Sequence, residues 1–193
     1  MPQKNTDVKS EKSGKTDVAG LLVWLLTSVF VVIADQLSKW LVVKYIKPLP
    51  DGINVIPGLY DFRYIENTGA AFGILSDHRW IHTAVSTVAI TGIVIYLIIK
   101  RKDRRSGWIN AAAGMIIGGG VGNLIDRYMQ GYVVDFIETK FMKFAIFNVA
   151  DSFVTVGTAI LAVCLIAAEI REEKNRQAAK TEPKPKEPEN SHV

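Results

Sequence analysis

Residues 152–168 read SFVTVGTAILAVCLIAA and contain no charged side chain. At a rise of about 1.5 Å per residue, a helix of this length crosses most of a bilayer core that is roughly 30 Å thick. Further apolar stretches occupy Gly20–Ala34 (through Trp40 if Asp35 and Lys39 pair), Ile81–Ile99 and Trp108–Ile125. The sequence therefore predicts an all-α membrane protein with four transmembrane helices.

Lysine and arginine are concentrated at three places along the chain. Fifteen of the 23 lie in the N-terminal tail, in the segment Lys100–Gly107 and in the tail from Arg171. Because cytoplasmic segments carry the excess of these residues, both termini and the 100–107 loop are predicted to be cytoplasmic. The connectors after the first and third helices then lie outside. Topology thus explains the net charge of +4, and we expect no nucleic-acid partner.

The chain divides into one membrane domain and two tails. Residues 1–19 and 171–193 are rich in charged residues, and the second tail contains a Pro/Lys/Glu segment. Such a composition predicts largely disordered cytoplasmic tails. Residues 20–170 form the four-helix domain between them. The single cysteine, Cys164, excludes an intrachain disulfide and is expected to be an apolar side chain of the fourth helix.

The two outward connectors differ in character. In the first, Leu59–Asn67 alternates so that Tyr60, Phe62 and Tyr64 share one face of a strand, and Ile53–Ile56 is its expected partner. We predict a small extracytoplasmic antiparallel sheet whose aromatic face points toward lipid or substrate. The second connector, residues 126–147, is rich in phenylalanine. We predict an interfacial loop that partly covers a site between the third and fourth helices.

Three carboxylates gather at the predicted outer membrane surface. Asp126 ends the third helix next to Arg127, which offers it a partner, whereas Asp135 lies between Val134 and Phe136. Burial favours the protonated form of Asp135, while the helix N-terminus at Asp151 favours an ionised carboxylate. Acid–base chemistry needs such a division, so we predict Asp135 and Asp151 as a working pair, with Asp126 as the alternative to Asp135.

Each of these acids also has a purely structural interpretation. Asp151 fits the N-cap of the fourth helix, and Asp135 fits a loop acid paired with Arg127. Asp35 and Lys39 form an i,i+4 pair that either neutralises itself near the interface or braces the loop or the sheet.

Several other motifs suggest packing or turns more strongly than chemistry. Asn67–Gly73 is either a tight turn or a segment in which Asn67 holds a substrate main chain. Gly118–Gly122 lacks the strand and the Gly-Lys-Ser/Thr ending of a phosphate loop, so it predicts close helix packing. His78 and His82 lack the further ligands that a zinc site needs, and no metal is expected.

Five segments follow one another over most of the membrane domain: Asp35-Gln-Leu-Ser-Lys39, Asn67-Thr-Gly-Ala-Ala-Phe72, Gly119-Gly-Val-Gly-Asn-Leu-Ile-Asp-Arg127, Val133-Val-Asp-Phe136 and Phe147-Asn-Val-Ala-Asp151. Taken together and in this order, they resemble the lipoprotein signal peptidase (signal peptidase II) family of bacterial inner-membrane aspartic proteases. The resemblance implies that Asp135 and Asp151 are the catalytic pair. The remaining matched positions that it implies as supporting residues are Asp35, Lys39, Asn67, Gly69, Gly119, Asn123, Asp126, Arg127, Asn148 and Ala150.

The resemblance also implies a substrate and a location. The family cleaves prolipoproteins just before the lipobox cysteine, after that cysteine has received a diacylglyceryl group. We accordingly expect prolipoprotein and membrane phospholipid as partners, no cofactor, a monomer, and an active site near the outer face of the inner membrane. Two competing functions use the same acids differently, namely a small proton-coupled carrier and a scaffold that binds lipoproteins without cutting them.

Overall fold

A computed structural model describes residues 17–69, 79–99 and 107–181 of the chain. Within them, the elements in chain order are α1 (Val18–Tyr45), β1 (Ile53–Ile56), β2 (Tyr60–Asn67), α2 (Arg79–Ile99), α3 (Gly107–Met129), β3 (Val133–Thr139) and α4 (Val149–Thr181). All four helices are long and apolar enough to cross a membrane. The predicted fold class of four spans with a small antiparallel sheet is confirmed.

Helix α3 is the centre of the bundle and packs against the other three helices. Its glycines permit the close approach. A Cβ atom at Gly118 would lie 2.7 Å from the carbonyl oxygen of Ser28 in α1, and one at Gly119 would lie 2.5 Å from that of Ala150 in α4. Any larger side chain would therefore push backbones apart, which confirms helix packing as the role of the glycine-rich segment.

The sheet has the order β1-β2-β3, and both pairs of strands are antiparallel. Residues 126–147 were predicted to form an interfacial loop, and strand β3 corrects this prediction over Val133–Thr139. Its first four residues, from Val133 to Phe136, are all buried, so the strand has no polar and apolar alternation that would reveal it in the sequence. Phe147 continues the pairing through a bridge to Ile137. The strand brings Asp135 into a rigid element.

The aromatic face of β2 was predicted to point toward lipid or substrate, and the structure corrects this. Phe62 and Tyr64 pack against a buried cluster of Val42 and Ile46 from the end of α1 and Val134 and Phe136 from β3. The sheet thus sits on the C-terminal end of α1. Apolar side chains at the end of a span provide the surface that buries this face of the sheet.

Helix α4 continues through Thr181, which corrects the prediction of a largely disordered tail from residue 171. The segment after Ala168 is rich in Arg, Glu, Lys, Gln and Ala, which are strong helix formers. An ion pair of 3.3 Å between Arg176 and Glu172 also supports it.

Several sequence predictions lie outside the described residues. They are the parts of the tails at 1–16 and 182–193, the basic loop at 100–106, the end of the Asn67–Gly73 motif from Ala70, and His78.

Candidate active site

The C-terminal end of α3, the N-terminal end of α4, the end of β2 and the start of β3 surround a cavity of about 510 Å³. Asp135 and Asp151 both line it. The remaining lining residues are Asn67, Gly69, Asn123, Arg127, Val133, Phe144, Ala145, Ile146, Phe147, Ser152, Thr155 and Val156. The cavity is therefore apolar over most of its wall, with polar groups converging at one end, which is typical of ligand and substrate sites.

Asp151 is held by the geometry of the start of α4. Its backbone N–H donates to Oδ1 of Asn148 at 2.9 Å, and its own Oδ2 accepts from the backbone N–H of Asn148 at 3.2 Å. This reciprocal arrangement is a capping box, in which Asn148 is the cap and the carboxylate reaches back from the first turn. The helix start thereby fixes the carboxylate of Asp151.

Asp135 is buried in β3, with 2% of its surface exposed. Its Oδ2 accepts from Nδ2 of Asn67 at 2.7 Å, and its Oδ1 accepts from Nδ2 of Asn148 at 2.7 Å. Burial raises the pKa of Asp135 from its ordinary value of 3.8 to about 6; the hydrogen bonds from Asn67 and Asn148 oppose this rise, and the charge of Asp151 adds to it. The direction agrees with the prediction from its apolar neighbours.

Asn148 joins the two acids, because its side chain contacts Asp135 and its backbone contacts Asp151. Asn123 completes the network from α3. Its Nδ2 donates to Oδ1 of Asp151 at 2.8 Å, while its Oδ1 accepts from Nδ2 of Asn148 at 3.0 Å. Two asparagines thus hold two carboxylates at one end of one cavity. Carboxylates in such proximity disfavour double ionisation, so the arrangement suits a shared proton.

Asp126 has a different partner from the one expected. It was predicted to pair with Arg127, but its Oδ2 lies 2.8 Å from Nζ of Lys39 and accepts from the backbone N–H of Val134 at 3.2 Å. Consecutive side chains on a helix point about 100° apart, so Arg127 does not share the direction of Asp126. Arg127 lines the cavity, whereas Asp126 does not.

The predicted pair of Asp35 and Lys39 is present at 2.8 Å and is buried. Asp35 also accepts from the backbone N–H of Ala150 at 3.0 Å, so it helps to hold the start of α4. Of the two interpretations that the sequence left open, the geometry favours bracing, although the braced element is α4 and not the loop or the sheet. Gly119 lies against Ala150 on the other side of that turn.

Sequence reasoning missed two residues of this region. Gln36 donates to Asp126 at 3.0 Å and to the carbonyl oxygen of Gly122 at 3.2 Å. A Cβ atom on Gly122 would lie 2.5 Å from a carboxylate oxygen of Asp35, so glycine is needed there. The spacing of Gly118 and Gly122 by one helical turn was the available signal, because it extends the packing face of α3 to the acidic end.

Asn67 lies at the end of β2 and contacts the site from a third direction. Besides donating to Asp135, it accepts from the backbone N–H of Gly69 at 3.0 Å. This local bond is typical of an Asn that begins a turn and fixes the direction of its amide. Of the two interpretations of this motif, the described part therefore supports a turn whose first residue also holds a carboxylate.

Comparisons with known proteins show the family of this chain. The family described as "Signal peptidase (SPase) II" matches residues 27–167. The lipoprotein signal peptidase of Streptococcus pyogenes serotype M2 is 42% identical over 143 residues, which cover 74% of this chain and 92% of that protein. The lipoprotein signal peptidase of Symbiobacterium thermophilum is 40% identical over 147 residues, which cover 75% of this chain and 95% of that protein.

Two solved structures are similar over most of their length. One is titled "Bacterial membrane enzyme structure by the in meso method at 2.3 A resolution", with a TM-score of 0.67 and 29% identity, covering 90% of this chain and 98% of that chain. The other, with the same title at 1.9 Å, has a TM-score of 0.66 and 33% identity, covering 79% and 96%. This chain therefore belongs to the signal peptidase II family, the membrane aspartic peptidases that remove signal peptides from prolipoproteins.

Proposed function

We propose that Asp135 and Asp151 are the catalytic pair, and that they cleave the bond just before the lipid-modified cysteine of a prolipoprotein. The observation that carries this proposal is the bridge by Asn148, which donates to Asp135 at 2.7 Å and to Asp151 at 3.2 Å. Asp126 has its oxygens directed to Lys39, Gln36 and Val134 and lies away from the cavity, which argues against it as the second acid.

The two acids divide the chemistry between them. Asp135, whose pKa is raised to about 6 chiefly by burial, is the protonated member and donates a hydrogen bond to the scissile carbonyl oxygen. Asp151 is the ionised member and accepts a proton from a water molecule held between the two carboxyls. The water oxygen attacks the carbonyl carbon, and a tetrahedral intermediate forms. The proton that Asp151 took from the water then passes to the amide nitrogen as the C–N bond breaks, and a hydroxyl of the intermediate returns a proton to Asp135. The products are the signal peptide with a new carboxyl end and the lipoprotein with a free amino group on its cysteine.

The apolar wall of the cavity supports access by a lipid-modified substrate. Phe144, Ile146 and Phe147, which precede α4, and Val156 of α4 all line the cavity. Such side chains exclude water from the scissile bond and strengthen the electrostatic interactions there. The diacylglyceryl group stays in the bilayer while the peptide bond meets the carboxylates at the membrane surface. Membrane phospholipid is accordingly the second partner.

The distribution of basic residues supports a location for the enzyme. With both termini and the 100–107 loop in the cytoplasm, the outer ends of α3 and α4 lie at the outer face of the cytoplasmic membrane. The catalytic pair then acts on substrates after their export, within a peptidase domain of residues 20–170.

A cleavage assay on purified protein tests the catalytic pair. A diacylglyceryl-modified prolipoprotein is incubated with the enzyme in lipid or detergent, and its mobility shift is followed. Asp135→Asn and Asp151→Asn should each lower activity by at least about a thousandfold while the melting temperature shows a folded protein. Asp61→Asn is the matched control, since Asp61 is a buried acid of the same sheet that pairs with Lys140 away from the cavity.

The assay also separates the alternatives. An active Asp135→Asn variant together with an inactive but folded Asp126→Asn variant would show that the second acid is Asp126. Retention of activity in both Asp135→Asn and Asp151→Asn would overturn the proposed mechanism altogether.

A further inference from the structure

Lys39 is a buried ammonium group whose hydrogen bonds are fully used. Its Nζ lies 2.8 Å from Asp35, 2.8 Å from Asp126 and 3.0 Å from Oδ1 of Asn123, and its side chain is 4% exposed. An ammonium group has three protons to donate and no acceptor. The atom of Asn123 that faces Lys39 must therefore be its oxygen. Lys39 thus fixes the orientation of a side-chain amide that has two possible orientations.

This orientation is passed on to both acids. With its oxygen toward Lys39, Asn123 directs its NH₂ group toward Asp151 and donates at 2.8 Å. The same oxygen of Asn123 accepts from Nδ2 of Asn148 at 3.0 Å. The NH₂ group of Asn148 uses its other hydrogen to donate to Oδ1 of Asp135, with Nδ2 and Oδ1 2.7 Å apart. Every amide that contacts a carboxylate here therefore acts as a donor. Reversing Asn123 would place its oxygen against an oxygen of Asp151.

We propose that Lys39 is a positioning residue for the reaction, which acts through Asn123 to make the amides of Asn123 and Asn148 donate to the catalytic carboxylates. This inference rests on the proposed pair of Asp135 and Asp151. Lys39 does not line the cavity and touches neither carboxylate of the pair. Its effect is on the charge state of the pair and not on substrate binding.

The charges around the pair determine the sign of the effect. The charged and titratable side chains that face it are Asp35 and Lys39 from α1, Asp126 and Arg127 from α3, Asp135 from β3 and Asp151 from α4. The adjoining residue of β2 is the neutral Asn67. Removing Lys39 takes a positive charge away and frees the Asn123 amide to turn. Both changes make the pair hold its shared proton more tightly, so activity should require a higher pH.

The test compares two variants that break the same ion pair from opposite ends. Lys39→Met removes the donor, whereas Asp35→Asn keeps Lys39 and still offers an oxygen to Ala150. We expect Lys39→Met to move both limbs of the pH profile of cleavage upward by about one pH unit. Its kcat should fall about tenfold to a hundredfold with little change in KM, since a hydrogen bond to a charged group is lost. Asp35→Asn should leave the limbs in place or move them down.

Controls separate this role from support of the fold. Lys47→Met, at an exposed lysine of the outer surface, should match the wild type in activity and in pH profile. Both variants of the buried pair should lower the melting temperature. Lys39→Met leaves two buried carboxylates without their cation, whereas in Asp35→Asn the ammonium of Lys39 keeps Asp126 and only the ion pair with Asp35 is lost. A purely structural role would give stability losses of this kind with unchanged limbs of the pH profile, and that result would overturn the proposal.

A second variant serves if Lys39→Met does not accumulate as folded protein. Lys39→Met combined with Asp126→Asn leaves the summed charge of the buried cluster as in the wild type, and Asp126→Asn alone is its control. The double variant should show the upward shift and its control should not; equal profiles would contradict the role of Lys39. The two proposals can fail separately. If Asp135→Asn and Asp151→Asn are inactive but the Lys39 variants show unshifted limbs of the pH profile, this inference is wrong and the assignment of the catalytic pair still stands.

Discussion

The interface between α1 and α3 has two halves. Glycines of α3 allow close packing in both, but the groups of α1 that they meet are different. Gly114, Gly118 and Gly122 lie one turn apart along α3 and let α1 approach closely. In the half nearer the N-terminal ends of the two helices, called the inner half, the partners of Gly114 and Gly118 are backbone atoms and small side chains, and Ser28 donates to the carbonyl oxygen of Gly114 at 3.1 Å. In the half nearer their C-terminal ends, called the outer half, Gly122 lies against Asp35, one of the partners of Lys39.

The difference shows what close packing does in each place. In the inner half it maximises contact between backbones, which is how helices associate where lipid is as apolar as the side chains. In the outer half the same approach removes water from charged groups, and buried charges must then find partners within the protein. The outer half therefore contains a connected polar network, and the inner half contains few polar side chains.

The largest effect is expected from breaking the outer network at its centre. Asn148→Ala removes the bridge to Asp135 and the cap of α4, so kcat should fall by about a hundredfold or more. Asn148→Ser restores a good cap but not the bridging amide. It should regain most of the lost melting temperature and little of the activity. Recovery of both by serine would mean that the amide is not needed and that the outer half, like the inner half, only supports the fold.

A second test measures the cost of burying Asp135. Its pKa is raised from 3.8 to about 6, so its stabilising contribution is complete below about pH 4 and is lost as the pH rises through 6. The shift in pKa corresponds to a loss of about 3 kcal/mol in the free energy of unfolding between pH 4 and pH 7. The Asp135→Asn variant has no carboxyl at this position to ionise. The melting temperature of the variant minus that of the wild type should therefore rise from pH 4 to pH 7 and stay constant above pH 7. A constant difference across that range would mean that the outer half buries this acid at no cost.

The inner half is tested by a matched pair of glycines. Gly118→Ala places a Cβ atom 2.7 Å from a backbone oxygen of α1, whereas Gly92 in α2 has open space around it. We expect Gly118→Ala to destabilise the protein by about 1–3 kcal/mol and Gly92→Ala to stabilise it by up to about 1 kcal/mol. Thermal unfolding in detergent measures both. Equal effects would show that the inner half does not depend on close approach.

The smallest effect is expected beyond both halves, on the extension of α4. Glu172 and Arg176 form an exposed pair there. Glu172→Gln should change the stability by less than about 0.5 kcal/mol and leave cleavage unaffected, because exposed pairs are screened by solvent. A loss of activity in this variant would instead connect the extension to the site.

Much of the architecture could be predicted from local patterns. Apolar runs predicted the four spans, alternation predicted β2, and β1 was predicted as the pairing partner of β2. The i,i+4 spacing gave the pair of Asp35 and Lys39. Strand β3 could not be predicted, because burial on both faces removes its alternation. The partner of Asp126 could not be predicted either, since the adjacent Arg127 was the obvious cation and Lys39 is distant in sequence.

The sequence by itself determined which segments are long and apolar enough to cross a membrane, which acids stand at their ends and to which family the chain belongs. These follow from composition and residue spacing within short segments, where the interactions are between residues close in sequence. Tertiary structure alone decided the partners. Asp35 meets Ala150 across 115 residues, and Lys39 meets Asn123 across 84. A hydrogen bond needs a donor and an acceptor at one point in space, and only the packing of the helices brings them there.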